Sequence, residues 1–406
     1  MRTPSALRCH PGPLRLLFAG LLLTALIGRP LDLSAESPTP QVGSQWDETS
    51  ESYIERHEIT LTAPAAAIRA YREAFTQREW FIGAESRSAF MGLLFGLELR
   101  PAIRDQILDP SHWEALPDGG FRVQPPLELQ RAFTSAERRE LYQLLATWTP
   151  NKVERWPLVA NHETDFTRWQ AAGVPSALIA RFRELSYPFA GGWACSDYAV
   201  IAAEFPNPAI LQRWLREVSS VRTIVPHLRL STTRSVSRAL AYWTADGNNP
   251  FARPLLEALL ESETENDIDL ASILPAAARA LSFELSPDDV RHDFTRQSLI
   301  VSTSLAVPPQ HLDQLDRFFN WFERNFRTVS DPPRFGDIWS FESAPDTAPG
   351  IPYACAHVVR DLVFARDPAG LGVWRFMTLA ELTRRNPHFT DGHFVHLRYS
   401  PPVPKS

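Results

Sequence analysis

The chain has 406 residues, 44% hydrophobic and 22% charged, which allows packed cores and excludes global disorder. Its length suits two or three domains, and 35 prolines against 18 glycines predict many stiff connections. A formal net charge of −6 excludes a general nucleic-acid binder, which needs a basic face to displace counterions.

In chain order, Arg2, Arg8 and Arg15 lead into an apolar run over residues 16–27. That run suits the core of a signal peptide and is shorter than a spanning helix needs. Leu33-Ser34-Ala35 then offers a cleavage site. Residues 1–35 are therefore expected to be an export signal, which places the protein in the periplasm or the medium. An uncleaved N-terminal anchor is the alternative, and the one route to a membrane. No cysteine follows the apolar run directly, which argues against a lipid anchor. The first 35 residues carry a net +3, so the remainder holds −9, which disfavours adsorption to acidic lipid. Cys195 and Cys355 stay in the exported chain. A bridge between them and two buried free thiols are both open. No CxxC pair supports a structural zinc site.

Residues 36–54 are polar and proline-containing, and read as a flexible leader. From about Glu55 the pattern turns helical, and TAPAAAIRAYREAF places Ile68, Tyr71 and Phe75 at helical spacing. FTSAERRELYQLLATW is the clearest helix, with Thr134 and Glu137 as a capping box and Leu141, Leu144, Leu145 and Trp148 as an apolar stripe. Further helices are expected at TDFTRWQAAG, PSALIARFREL, NPAILQRWLREV, SRALAYWTA and PFARPLLEALLES. Residues 55–280 therefore read as a mostly helical region. Its tryptophans (Trp148, Trp156, Trp169, Trp193, Trp214, Trp243) suit either a sugar-binding groove or core packing. Packing is favoured, since large aromatics at helical spacing are normally buried.

The texture changes near residue 282. SPDDV supplies a helix start, and RQSLIVSTSLAV and LDQLDRFFNWFERNF read as helices. DIWSF, ACAHVV, LVFAR and GVWRFMTL alternate as strands do, LAELTRR is a short helix, and HFVHLRY is a last strand. Helices followed by strands predict an α+β fold, with a C-terminal domain over 283–400.

This C-terminal stretch resembles the NlpC-type cell-wall peptidases, a papain-like family. Asp293-Phe294 lies at a helix start, and Gly336-Asp337-Ile338-Trp339-Ser340-Phe341 matches a Gly-Asp strand about forty residues later. Tyr353 opens the next strand, Arg360-Asp361 makes the turn, and Leu362 to Ala365 form a third strand. The likeness rests on spacing and pattern over about a quarter of the chain. It implies an antiparallel sheet and a role at the cell envelope. In its register the nucleophile position holds Phe294, the base position Tyr353 and the orienting position Ala365. Phenylalanine has no lone pair, and tyrosine titrates near 10, too high for a general base at neutral pH. The resemblance therefore implies a remnant cleft lined by Asp293, Phe294 and Tyr353 that binds cell-wall peptide or glycan without cleaving it.

Other residues offer alternative chemistry. Cys195 in GGWACSDYAV reads as a cysteine at a helix start, where its pKa would fall, with His227 or His357 as a base. Cys355 and His357 lie two apart on one strand, about 7 Å from each other, too far for direct proton transfer. Both are expected in the core. His388, Asp391, His393 and His396 have a metal-like composition, but His393 and His396 fall on opposite strand faces. Glu263, Glu265, Asp267 and Asp269 read as a solvated loop rather than a calcium loop. No phosphate-cradling loop, GxSxG or HExxH motif is present, so no metal or cofactor is expected.

The expectation is an exported, catalytically inactive envelope protein with cell-wall fragments or an envelope protein as partner and no nucleic acid. The alternatives are an active cysteine peptidase or amidase built on Cys195 or Cys355, and a helical interaction scaffold.

Overall fold

The computed structural model describes residues 45–401, apart from 63–67, 70–71, 73–77, 118, 156, 190, 231–235, 263–266, 284–293, 312–313, 344–352, 368–372 and 386–391. The side chains of 294–297, 315, 343 and 392 are also outside that set. The expected export signal, residues 36–44 of the leader, and most of TAPAAAIRAYREAF lie outside the described residues. No helix among the described residues is long and apolar enough to cross a membrane.

The chain is an α+β protein whose strands pair antiparallel throughout its three sheets. The strands before residue 200 are β1 Gln45–Asp47, β2 Ser52–Leu61, β3 Trp80–Ile82, β4 Trp113–Ala115, β5 Phe121–Val123, β6 Leu158–Ala160, β7 Tyr187–Phe189 and β8 Gly192–Cys195. After it come β9 Val221–Leu230, β10 Asp267–Asp269, β11 Phe326–Thr328, β12 Ile338–Ser343, β13 Tyr353–Val359, β14 Leu362–Arg366, β15 Trp374–Thr378 and β16 Gly392–Tyr399. One large sheet runs β1-β2-β9-β15-β14-β13-β12-β16-β11, with β10 also on β9. Two small sheets run β3-β5-β4 and β6-β8-β7.

Every strand and helix read from the C-terminal sequence forms among the described residues; the helix start read at SPDDV lies outside them. DIWSF, ACAHVV, LVFAR and GVWRFMTL become the meander β12 to β15, and HFVHLRY becomes β16 on the far side of β12. β13 is buried at all seven positions. Helix Phe294–Ala306 covers it, and small residues allow the close approach. Ser302 and Thr303 are buried there, and the Ser302 hydroxyl donates to the Ala354 carbonyl at 3.3 Å. At the end of that helix Gly336 has φ +85°, and an added Cβ would lie 2.9 Å from the Ala306 Cα. Only glycine fits both demands.

Residues 55–280 depart from the expected mostly helical region. The helices at Ser135–Leu145, Glu163–Ala171, Ser176–Leu185, Pro208–Val218, Val236–Trp243 and Arg253–Glu261 form as read. Glu55 onward, however, is strand: β2 pairs with β9 over ten residues, Ser52↔Leu230 to Leu61↔Val221. The expected leader likewise ends in β1 and the start of β2 rather than in free chain. SYIERHEITL buries Ser52 and Ile54 and exposes Tyr53, an alternation of period two over its first three residues, after which His57 to Thr60 are all exposed. In β9, Pro226 faces Arg56 of β2 on one edge; on the other it falls between Ile224, where β15 meets β9, and His227, where the pairing with β10 starts. A missing N–H is tolerated at such a break.

The boundary expected at 280–283 is not a boundary between cores. One apolar core takes Ile54, Leu228, Trp243 and Leu256 from one side of it and Val301, Ala356, Phe364 and Phe376 from the other. Residues 40–406 form one compact unit. Two further cores lie within residues 68–218 almost entirely, one around Trp169, Phe182 and Trp214 and one around Trp80, Phe90 and Tyr142.

Candidate functional site

At the frame expected to carry hydrolase chemistry, the described groups are closed. Tyr353 is 3% exposed, and its phenol donates to the Arg366 backbone carbonyl. Burial pushes that phenol well above its ordinary pKa. It is therefore a neutral hydrogen-bond donor, not a base. Ala365 is fully buried among Phe341, Tyr353, Cys355, Val363, Met377 and Leu382. Asp293 lies outside the described residues, and Phe294 begins its helix with a side chain outside them too. The remnant cleft is thus represented by Tyr353 alone, which faces a packed core.

Cys355 and His357 sit in the core, as their strand spacing predicts. Burial raises the Cys355 thiol. It also lowers the imidazole of His357 to about 4, against the opposing charge of Asp337. At neutral pH both are uncharged. The two cysteines are free rather than bridged, and both are buried.

Asp337, from the Gly-Asp pair, is the polar centre of this frame. Its carboxylate accepts from His396 Nε2 at 2.7 Å, from Arg398 Nη2 at 2.8 Å and from the Arg334 backbone N–H at 2.8 Å. Burial works to raise its pKa, but the bonds from His396 and Arg398 hold it below the usual carboxylate value. His396 is therefore a structural partner rather than a metal ligand. His393 is exposed, and His388 and Asp391 lie outside the described residues. Among the described residues no three histidines, cysteines or acids are placed to hold a metal ion. Asp267 and Asp269 are strand residues, with Asp267 3.3 Å from His227 Nδ1 and Asp269 accepting from the Ala271 N–H. They therefore lie in a short strand rather than a loop, although Asp267 is exposed as expected. Glu263 and Glu265 lie outside the described residues.

Cys195 is not at a helix start. It ends β8, and the next helix, Tyr198–Glu204, begins beyond Asp197. No helix N-terminus lowers its pKa; burial and the nearby Asp197 raise it. His227, offered as its base, instead contacts Asp267 and the ring of His57, whose centroid is 4.7 Å away.

The residues around Cys195 form a second polar cluster that local patterns did not reveal. Asp197, 2% exposed, accepts from Arg138 Nε at 2.6 Å and from the Tyr142 hydroxyl. The Arg138 guanidinium also donates to the Gln130 and Phe133 carbonyls. Burial raises the Asp197 carboxyl above its ordinary value. A guanidinium at this distance keeps its proton, however, so the two form an ion pair. Tyr187 and Ser196 share a hydrogen bond at 3.0 Å. Beside them Glu154, Gln130, Trp80 and Arg78 line a recess with Ser196. These residues come from separate helices and strands. The sole sequence signal was the run Cys195-Ser196-Asp197, polar groups placed between a strand and a helix.

The tryptophans follow the packing reading. Trp169, Trp214 and Trp243 are fully buried, and Trp148 and Trp193 pack half-buried against the cores. Trp156 lies outside the described residues. Comparison of the chain with family models, with curated proteins and with solved structures found no match.

Proposed function

We propose that this is an exported envelope protein whose C-terminal frame binds cell-wall peptide or glycan without hydrolysing it. The observation that carries the reading is the state of the groups a cysteine hydrolase would need. Both thiols are fully buried with raised pKa values, and the Tyr353 phenol is held by the Arg366 carbonyl. A buried neutral thiol is not a nucleophile. The order of β12, β13 and β14, with helix Phe294–Ala306 against β13, is the arrangement that the resemblance to the NlpC-type family implies.

The test uses residues 36–406 incubated with purified cell-wall fragments. Binding without turnover is expected, and both thiols should resist iodoacetamide at pH 7.5 until the protein is denatured. Turnover abolished by Cys195→Ala or Cys355→Ala would overturn the reading.

A scaffold is the second reading, favoured by the distribution of exposed apolar side chains. Tyr53, Ile59, Met91, Leu93, Phe95 and Phe251 are the large hydrophobics exposed among the described residues, and all precede residue 283. Three of them share helix Arg87–Phe95.

A further inference from the structure

The recess beside the Arg138–Asp197 pair is built from groups that want a hydrogen-bond donor. Gln130 is 5% exposed, and its Oε1 atom is buried with no partner. Such an atom costs stability unless something donates to it. Glu154 lies on the same wall, with the Trp80 indole N–H bonded to its carboxyl. Ser196 contributes a hydroxyl, already in contact with Tyr187. The exposed Arg78 completes the rim on the solvent side. The space accommodates the centre of a water-sized group over about 10 Å³, about what one water needs. A protonated amine head is of that size.

We propose that this recess binds the ammonium group of a small α-amino acid, with Glu154, Gln130 Oε1 and Ser196 as acceptors and Arg78 taking the ligand's carboxylate. A primary ammonium offers three donors and one positive charge, which answers the orphan amide oxygen and the carboxylate together. A water can satisfy the amide but, unlike an ammonium, brings no charge to stabilise Glu154 in its ionised form. The site is independent of the C-terminal frame and stands whether or not that frame binds cell-wall fragments.

The charged and titratable neighbours are consistent with this. Asp197 raises the pKa of Glu154, but its own charge is matched by Arg138. Tyr142 and Tyr187 both feel Glu154, and burial keeps both neutral. Among the described residues that line the recess, Arg78 is the one cation. Although Glu154 as a residue is only half-buried, burial of its carboxyl pushes its pKa up to about 8. It is therefore mainly protonated at pH 7. Binding an ammonium must release that proton, so affinity should rise about tenfold per pH unit between 6 and 8.

The experiment is isothermal titration of the full exported chain at pH 8 with four probes. Glycine is the complete ligand, and methylammonium lacks the carboxylate. Acetate lacks the ammonium, and trimethylglycine keeps both charges but has no N–H donor. Glycine should bind most tightly and methylammonium about tenfold more weakly, with acetate and trimethylglycine silent. Arg78→Ala should weaken glycine and leave methylammonium unchanged. Glu154→Gln and Gln130→Leu should each weaken both by about tenfold or more. Equal responses to glycine and trimethylglycine would overturn the assignment. So would glycine binding that ignores Glu154→Gln or pH, or no binding at all, which leaves the recess a water site. The probe series on unaltered protein decides the matter even if a variant fails to fold.

Discussion

The two halves of the molecule differ in how fully their polar groups are matched. At the C-terminal frame the matching is complete around Asp337, which takes donors from three residues, and around Asp367, which takes Arg375 at 3.1 Å and Arg385 at 2.8 Å. In the other half Asp197 is matched by Arg138 and Tyr142, yet a neighbouring recess keeps an orphan amide oxygen and a carboxyl with a raised pKa. A satisfied polar group lowers the energy of one structure, whereas an unsatisfied one is lowered further by a ligand. The pattern that resembles an enzyme thus marks a frame that is stable as it stands. The unmatched groups lie where no motif pointed.

The largest loss of stability is expected at the Arg138–Asp197 pair. Asp197→Ala would leave a guanidinium buried and unpaired, at a cost of about 3–5 kcal/mol, read as a lower urea midpoint. Replacing both partners by apolar residues of similar size should cost less than either single change. If the double change is as harmful as the single one, the pair matters by shape rather than by charge.

His357 provides the next largest effect, and it belongs to the other half. Its folded pKa, lowered to about 4, lies below the ordinary unfolded value of 6.5. The unfolded chain therefore binds the proton first, and its contribution to stability, full above pH 6.5, is lost as pH falls toward 4. The size is about 3 kcal/mol over that window. Urea unfolding at pH 7 and pH 5 should show it, and His357→Gln should flatten the difference. An unchanged slope in that variant would mean that other groups govern the acid limb.

Much of the C-terminal half was legible because its signals are local. Alternation over DIWSF, ACAHVV and LVFAR reports strands with buried faces, and helix Phe294–Ala306 reports itself by period. The Thr134–Glu137 capping box was equally readable, and Arg100 completes it with bonds of 2.8–3.0 Å to Glu137. β2 and β9 were not readable, for different reasons. The apolar positions of SYIERHEITL are few and precede a genuine helical pattern, and Pro226 interrupts VRTIVPHLRL. Their pairing partners lie 160 to 178 residues apart, which no window contains. The polar recess is illegible for a deeper reason. Gln130, Glu154 and Ser196 are unremarkable in their own segments and gain meaning only when three elements meet. Cys195 shows the opposite error: glycines before it and helix-like residues after it suggested an activated thiol, but one turn of chain separates it from the helix it was meant to start.

Gly336→Ala sharpens the contrast from the side of packing. A non-glycine residue at φ +85° is strained, and its Cβ would lie 2.9 Å from the Ala306 backbone. A loss of roughly 1–3 kcal/mol is expected. Since the helix against β13 would have to move, hydrogen exchange should quicken in both 294–306 and 353–359. Exchange confined to the 336 turn would show that the helix is not held by this contact. Glycine binding at the distant recess should be unaffected either way.

The smallest effect bears most directly on function. Tyr353→Phe removes one hydroxyl and leaves the Arg366 carbonyl without that donor, at a cost of about 1–2 kcal/mol. If Tyr353 only holds β13 to the end of β14, the variant should bind cell-wall fragments as the parent does and differ only in its urea midpoint. Tyr353→His places the missing base at its expected position, yet hydrolysis should not appear. An imidazole there would still face a core in which the thiol of Cys355 is fully buried and neutral. Restoring one group of a catalytic pair does not restore the pair. Turnover gained by Tyr353→His would mean that a nucleophile is within reach after all, and that one ring separates this frame from an enzyme.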